Sequence, residues 1–326
     1  MKKVILVDGN NLLFRSYYAT AYSGNLMKNS KGFPTNGLFG FVNMMNKIIH
    51  EDKPDYLLVA FDMGKTFRHE KYSDYKGGRD ETPLDLKRQF PVAKKILNAM
   101  HISYLEVERY EADDIIGTYA KMIDEEDGYE GLIVSSDKDL LQLITDKVSV
   151  KLLKTKDYVM MDPLVFQNTY GVEPSGMIDL KGLMGDSSDN IPGVKGIGEK
   201  TAIKLLLEYH DLDNLYDHID CIKGATKNKL IEGRDSAFES REIATIFKRV
   251  PVCYSLEDLK FKDAVSVELV DLYNELEFYS FLKKLDMPNV SDEVSYEIVS
   301  SDDIEEIRED VSLYVDMDMD NYHKAN

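Results

Sequence analysis

Apolar runs in this chain end in aspartate. Val4-Ile5-Leu6-Val7 leads into Asp8, Tyr56-Leu57-Leu58-Val59-Ala60-Phe61 into Asp62, and Leu132-Ile133-Val134 into Asp137 and Asp139. Two further acidic clusters stand apart, Glu111 with Asp113 and Asp114, and Asp186 with Asp189. A single aspartate after a strand is an ordinary turn or cap residue, and Glu111-Ala112-Asp113-Asp114 alone would serve as a helix start. Nine carboxylates in five clusters are harder to explain that way. If folding gathers them, their repulsion is tolerable only with cations between them. Mg²⁺ and Mn²⁺ are hard ions that combine a few carboxylates with water and substrate phosphate. Two such ions about 4 Å apart can activate a water and stabilise the leaving oxygen of a phosphodiester. That chemistry needs carboxylates and no nucleophilic side chain. The local spacing suits it: Glu111 and Asp114 share a helix face, Asp113 lies at a helix start where the dipole favours acids, and Asp186 and Asp189 repeat the three-residue interval.

The elements that must position these groups follow from periodicity. Residues 4–8 and 56–62 read as buried strands, since a continuous apolar run suits a sheet covered on both faces. Residues 101–107 and 131–136 are two more. Between the strands, 38–50, 83–100 and 111–124 carry helical patterns, with Pro83 suited to a first turn. Strands alternating with helices predict an α/β fold with a mostly parallel central sheet flanked by helices. Ligands of such sheets sit beyond the carboxyl ends of the strands, where Asp8, Asp62 and Asp137 lie. After about residue 175 the pattern becomes helical, over 178–184, 199–209, 226–232, 236–247 and 267–285. The predicted division is 1–175 for an α/β metal-binding domain, 176–290 for a helical subdomain, and 291–326 for a linker and the start of a truncated further domain. Met287-Pro288-Asn289 marks the linker, and the tail holds a helix-like stretch (302–309) and a strand-like Leu313-Tyr314-Val315.

Two segments point to a polyanionic partner. Residues 64–80 place Lys65, Arg68, Lys71, Lys76 and Arg79 among Phe67, Tyr72 and Tyr75. The cations suit phosphates and the rings suit base stacking; a solvated loop with buried aromatics is the plain alternative. The segment starts directly after Asp62, so a strand threaded there would end near the carboxylates. The second segment, IPGVKGIGEKTAIKL (191–205), sets Gly193, Gly196 and Gly198 before a basic helix bearing Lys200 and Lys204, with Lys195 in the turn. Glycines permit tight turns, and the amides of a helix start attract phosphate. The run resembles a helix-hairpin-helix element, which grips a DNA backbone without reading sequence; a bland surface turn is its alternative. Homologues of that hairpin hold a monovalent cation, which makes K⁺ a plausible additional ion.

Bulk composition constrains rather than decides. The chain has 326 residues and a formal charge of -19, against a general basic coat for nucleic acid. The charge is uneven: residues 291–326 hold 12 acids against Arg308 and Lys324, a net of -10, whereas 64–95 hold nine Lys/Arg and five Asp/Glu, a local excess of +4. Two cysteines without metal-ligand spacing fit a reducing compartment. No apolar run is long enough for a signal segment or a membrane span. The expectation is a cytoplasmic protein.

Taken together, VDGNNLLFRSYY (7–18), GFPTNGLFGF (32–41), FDMGKTFRHEKYSDYKGGR (61–79), YEADDIIGT (110–118), SSDKDLLQL (135–143) and GLMGDSSDNIPGVKGIGEKTA (182–202) resemble the 5′-nuclease, or flap endonuclease, superfamily, and within it the bacterial 5′→3′ exonuclease domains. The motifs span most of 1–210; residues 211–290 agree only in helical character. The resemblance implies that Asp8, Asp62, Glu111 and Asp113 bind a first metal. Asp137, Asp139 and Asp186 would bind a second, with Asp113 between the two, and Asp114 and Asp189 would form the outer shell. Lys76 and Arg79 would sit on a helical arch near 64–95 and steer the 5′ strand and stabilise the scissile phosphate. Tyr75 would stack on a base and Arg15 would support the site. Arg68 and the hairpin residues Gly193, Val194, Lys195, Gly196, Ile197, Gly198, Lys200 and Thr201 would contact DNA. The implied activity is hydrolysis of DNA, and of RNA primers, at a 5′ flap, nick or free 5′ end by a monomer with two divalent metals (Mg²⁺ or Mn²⁺). A PIN-like ribonuclease is one alternative, disfavoured by the hairpin. A non-catalytic DNA-junction binder is another, which loss of Asp8, Asp62 or Asp186 would have signalled.

Overall fold

The runs that end in aspartate form neighbouring parallel strands. In the computed structural model, which describes residues 1–21 and 26–285, the strands are β1 (Lys2–Asp8), β2 (Tyr56–Phe61), β3 (Ser103–Glu106), β4 (Tyr129–Ser135), β5 (Val148–Leu153) and β6 (Tyr158–Met161). They make one sheet in the order β3-β2-β1-β4-β5-β6. Neighbours are parallel except β5 and β6. The chain builds outward from β1 through β2 to β3, then returns to the other side of β1 as β4. The reversal opens a crevice at the carboxyl ends of β1 and β4, the place where such sheets bind ligands.

Register brings the acids to that crevice. Asp8 pairs with Ala60, two residues before Asp62. Val7 pairs with Val134, three before Asp137. Successive side chains of a strand point to opposite faces, so each apolar run feeds two cores. Val4, Leu6, Leu58, Ala60 and Ile133 pack with Ile115, Ile116, Tyr119 and Ile123 of the helix Ala112–Glu125. Ile5, Val7, Leu57, Val59, Phe61 and Val134 pack with Leu12, Phe41, Met45 and Ile96 from the helices Gly9–Ala21, Asn36–Asp52 and Gln89–Ala99. Burying a side chain of this size contributes roughly 1.5–3 kcal/mol, enough over both faces to fix the strand ends against carboxylate repulsion.

Helices Met177–Met184, Glu199–Tyr209, Leu212–Asp217, Gly224–Glu232 and Arg234–Ala244 follow the sheet. Leu180, Leu183, Val194, Leu206 and Ala237 join the core on the face covered by Ala112–Glu125. Residues 1–285 accordingly form one compact unit. No helix among the described residues is long and apolar enough to cross a membrane. The linker expected around Met287-Pro288-Asn289 and the further segment expected at 291–326 lie outside the described residues.

Several expectations change in detail. The helix expected over 83–100 is two, Leu84–Lys87 and Gln89–Ala99. That expected over 267–285 breaks between Val267–Glu275 and Tyr279–Leu282, because Glu277 takes a left-handed backbone (φ 60°) that no helix continues. The arch segment is helical at Phe67–Lys71 and again from Leu84. Tyr75, Lys76 and Arg79 occupy the non-helical stretch between, where Lys76 is itself left-handed (φ 57°).

Candidate active site

Each strand-end acid is held by backbone or side-chain donors, most of them supplied by neighbouring elements. Asp8 closes β1 and is 5% exposed. Its Oδ1 accepts the Asn11 N–H at 2.9 Å and its Oδ2 the Ser135 hydroxyl at 3.0 Å. Asp62 accepts the Asn10 amide at 2.9 Å and the Ala112 N–H at 2.7 Å. The latter is one of the donors that a helix start leaves unpaired, so Asp62 ties β2 to the helix bearing Asp113. Asp137 takes the Asp139 N–H on Oδ1 at 2.8 Å, while its own N–H donates to Ser135 Oγ at 3.0 Å. Asn11 Oδ1 in turn receives the Ser136 N–H and hydroxyl at 3.0 and 2.8 Å. Asn10, Asn11, Ser135 and Ser136 thus brace the acids, a role that their placement in GNN and SSD hints at but does not define.

Glu111 caps the helix Ala112–Glu125 in a reciprocal box with Asp114. Asp114 is fully buried and both its oxygens are engaged. Oδ1 accepts Arg68 Nη2 and the Phe247 N–H, each at 2.8 Å, and Oδ2 accepts Arg68 Nη1 at 2.8 Å and the Glu111 N–H at 3.1 Å. Arg68, 3% exposed, also donates to the carbonyls of Ile243 and Thr245 at 3.0 and 2.8 Å. One expectation is corrected by this pair: Arg68 is not presented to a phosphate, because a bidentate guanidinium–carboxylate pair at this depth is costly to break. Asp114, with both oxygens engaged by protein, reaches the site through the Glu111 N–H.

The remaining acids meet the chain's own cations. Asp186 begins a tight turn in which it and Ile191 exchange two backbone hydrogen bonds of 2.8 Å. The turn needs Gly185 and Gly193: both have positive φ (+71° and +61°), and a Cβ on Gly193 would lie 2.2 Å from the Gly185 nitrogen. One Asp186 oxygen accepts Ser188 N–H and Oγ at 2.8 and 2.6 Å; the other meets Lys181 Nζ at 2.5 Å. The same ammonium contacts Asp139. Lys181, only 4% exposed, was not singled out from the sequence; a lysine in the apolar run Met177–Met184 just before an acidic loop was the available signal. Lys76 Nζ lies 2.8 Å from Glu111 Oε1 and 4.0 Å from Asp189 Oδ2, and its N–H donates to the Asp189 carbonyl at 3.0 Å. Arg79 pairs with Asp189. Tyr75 is 6% exposed, beside Ile191, Ile243 and Ala244, and its hydroxyl donates to Glu111 at 3.0 Å. The base-stacking surface expected of Tyr75 is therefore covered in this conformation. Arg15, half-buried, donates to the Lys154 carbonyl.

Electrostatics joins the five clusters. Burial, with repulsion from Asp62 and Asp137, pushes the Asp8 carboxyl up to about 7, against the lowering by the Asn11 N–H. Burial and Asp137 push Asp139 to about 7 despite Lys181. Asp113 is driven well above the carboxylate range by burial and by Asp137, Asp8 and Glu111. Asp62 is raised by burial, with Lys76 opposing. Asp186 goes the other way: burial would raise it, but Lys181 and Ser188 hold it at about 2. Burial would lower Lys76, and the surrounding Glu111, Asp189 and Asp62 raise it instead. No group of three acids, among the described residues, forms a ready-made ion cage. The arrangement is an open set of oxygen donors, several reluctant to ionise together, which suits ions that retain water and take part of their shell from substrate.

The glycine turn leads into the helix Glu199–Tyr209, which is capped by Gly198. Val194 and Ile197 are buried in the core, so only their backbone can face a ligand. Lys195, Gly196, Gly198 and Lys200 are exposed, and Thr201 is half-buried. Ser236 Oγ donates to the Gly193 carbonyl at 2.6 Å, Gly193 N–H donates to Ser240 Oγ at 2.9 Å, and Lys229 Nζ reaches the Gly196 carbonyl at 3.0 Å.

Comparison with known proteins agrees with this geometry. Residues 3–171 match the family model of the 5′-3′ exonuclease N-terminal resolvase-like domain, and residues 172–266 that of the 5′-3′ exonuclease C-terminal SAM fold. The chain is 41% identical over 333 residues to DNA polymerase I of Bacillus caldotenax, covering 99% of this chain and 37% of that protein. It thus spans little more than a third of the relative's length. Among solved structures, a T5 protein co-crystallised with metal ions is 25% identical, with a TM-score of 0.57 over 76% of this chain and 90% of that one. A T5 5′-exonuclease with bound zinc shares the fold at 22% identity, with a TM-score of 0.61 over 85% and 99%. With one family model over the sheet and its companion over the helices that follow, the chain belongs to the 5′-3′ exonuclease family.

Proposed function

We propose that this chain is a divalent-metal-dependent 5′→3′ exonuclease and 5′-flap endonuclease, acting on DNA or RNA-primer strands at a flap, nick or free 5′ end, and that it works as a monomer. The observation that carries the reading is the gathering of Asp8, Asp62, Asp113, Asp137 and Asp139 at the carboxyl ends of the strands, where burial and neighbouring acids raise Asp8, Asp113 and Asp139. In this reading Asp8, Asp62, Glu111 and Asp113 hold one ion, and Asp137, Asp139 and Asp186 the other. The ions, Mg²⁺ or Mn²⁺, supply a polarised phosphate and an activated water. Ser135, Asn10 and Asn11 fix the acids' orientation. Lys76, beside Glu111 and Asp62, is placed to stabilise charge developing on a phosphate. Lys195, Lys200 and the free amides of the Glu199 helix grip the duplex backbone, so residues up to about 175, joined by Asp186, do the chemistry and the helical subdomain of 176–290 holds the duplex. K⁺ at the hairpin has less support, because the Gly193 and Gly196 carbonyls already accept Ser236 and Lys229. That a 25%-identical T5 protein was co-crystallised with metal ions favours a catalytic over a purely binding role. The test incubates the protein with a 5′-labelled flap duplex in Mg²⁺, in Mn²⁺ and in EDTA. Cleavage near the junction in either metal and none in EDTA is expected; cleavage persisting in EDTA, or absent with both metals, sinks the reading.

A further inference from the structure

A continuous set of hydrogen bonds joins the glycine turn to the acidic site through the helix Arg234–Ala244. At the turn, Ser236 and Ser240 of this helix hold the carbonyl and the N–H of Gly193 at 2.6 and 2.9 Å. Ser240 is fully buried. At the far end, the Ile243 and Thr245 carbonyls accept Arg68. Arg68 forks onto Asp114, and Asp114 holds the Glu111 N–H and so the first turn that presents Glu111 and Asp113. Arg68 Nη1 also lies 3.6 Å from Glu111 Oε2. The same arginine belongs to the short helix Phe67–Lys71, directly before Tyr75 and Lys76. One buried ion pair thus joins the arch segment, the acidic helix and the helix that holds the turn.

We infer that Arg68 and Asp114 are positioning residues that couple duplex grip at the 193–198 turn to the placement of the carboxylates for metal. Binding at the turn loads the Arg234–Ala244 helix, whose far end sets Arg68, and Arg68 sets Asp114 and through it Glu111 and Asp113. The inference rests on the nuclease reading for the identity of the two ligands, and it adds that each ligand tightens the other. Coupling between two sites is reciprocal, so the factor must be the same in both directions. The chain of contacts alone does not demonstrate that factor; a binding cycle does.

The cycle uses Mn²⁺ and a dumbbell duplex closed at both ends, which can be gripped but offers no 5′ end to the carboxylates. Mn²⁺ affinity is read from the electron paramagnetic resonance of the free ion, with and without dumbbell. Dumbbell affinity is read from fluorescence anisotropy, with and without Mn²⁺. Wild-type protein should show a factor of at least about 5 in both directions, within the usual range for linked sites. Arg68→Met/Asp114→Leu, which replaces the buried pair by apolar groups, should bring the factor close to 1. It should also raise the Mn²⁺ midpoint at least about tenfold, with dumbbell affinity in EDTA changed less than about threefold. Ser240→Ala, a smaller change at a side chain that hydrogen-bonds Gly193 and no carboxylate, should reduce the factor too, and it decides the matter if the double variant does not fold. A wild-type factor of 1, or a full factor retained in Ser240→Ala, overturns the coupling and leaves the nuclease reading standing. Absence of any Mn²⁺ binding to the wild type overturns the nuclease reading instead.

Discussion

Replacing Lys181 by methionine isolates the charge between Asp139 and Asp186, since the two side chains have similar length and the site is nearly closed (4% exposed). The Lys181 ammonium lies 2.5 Å from Asp186 and contacts Asp139 as well. A unit pair near 3 Å in an effective dielectric of 20 attracts by roughly 5 kcal/mol. Desolvating the ammonium takes much of this back, and stranding a buried partner costs about 3–5 kcal/mol. A chain of this size loses roughly 2–4 °C in Tm per kcal/mol, so Lys181→Met should melt roughly 6–20 °C lower at pH 8 without divalent ions. The sign with pH follows from Asp139. Burial and Asp137 already raise it from 3.8 to about 7, and losing Lys181 raises it further. A carboxyl raised in the folded state is harmless below its unfolded pKa and destabilises progressively as pH climbs from there to the folded value, above which the loss is complete. Lys181 helps hold Asp186 at about 2, so the Asp186 share of the deficit should already be present at pH 5; the Asp139 share adds to it as pH rises through about 7, and the deficit at pH 8 should exceed that at pH 5. A divalent ion can replace the missing charge, so millimolar Mn²⁺ at pH 8 should raise the Tm of the variant more than that of the wild type. Differential scanning fluorimetry at pH 5 and pH 8, with and without Mn²⁺, reads all four conditions. The same deficit at both pH values, or no extra gain with Mn²⁺, would refute a charge-bridging role for Lys181.

Lys76→Ala should slow single-turnover cleavage of a flap duplex by about 100-fold or more, the scale of losing one donor to a developing charge, while duplex affinity changes less than about threefold. Equal losses in rate and affinity would make Lys76 a docking residue. At the turn, Gly193→Ala meets backbone at 2.2 Å with φ at +61°, whereas nothing lies within 4 Å of a Cβ on Gly198. Gly193→Ala should therefore lower thermal stability by several degrees. Gly198→Ala should leave Tm unchanged and weaken duplex binding severalfold in anisotropy titrations, because the added methyl stands at the amides offered to phosphate. Unchanged binding by Gly198→Ala would remove that helix start from the interface.

The acidic site was legible because its chemistry coincides with the fold's strongest signal. Buried parallel strands are continuous apolar runs, and the first polar residue after each falls at the sheet edge where ligands bind. The α/β reading and the sheet's mostly parallel character follow from the same runs. What escaped was whatever depends on a partner distant in sequence. Strand β5 reads Val-Ser-Val-Lys-Leu-Leu, and its lysine suggests a surface position; Lys151 is in fact buried, with Asp52 at 2.7 Å. The helix Gly9–Ala21 opens on Gly9-Asn10-Asn11, poor helix formers, which stand there because the acids need their side chains and N–H groups. Arg68 and Asp114 are 46 residues apart, and neither carries a local mark that distinguishes a buried clamp from a phosphate contact or a metal ligand.

The cations around the site divide into two kinds, and the division explains how a chain of net charge -19 can present an acidic centre to a polyanion. Arg68 is committed: its side chain is 4% exposed, its partner Asp114 fully buried, and each of its contacts is with protein. Lys76 and Arg79 are exchangeable, with side chains 18% and 51% exposed, and their partners Glu111 and Asp189 stand at the edge of the carboxylate cluster. If an ion takes Glu111 as proposed, Lys76 loses its claimant and becomes free for phosphate, while the half-exposed Arg79 can leave Asp189 at little cost. Metal and nucleic acid then do not compete for the site's charge. In the proposed two-ion site an ion on Glu111 would free Lys76 for the substrate, so affinity for a phosphate near the carboxylates should rise with metal occupancy, even though the sum of charges on the protein argues against binding at all.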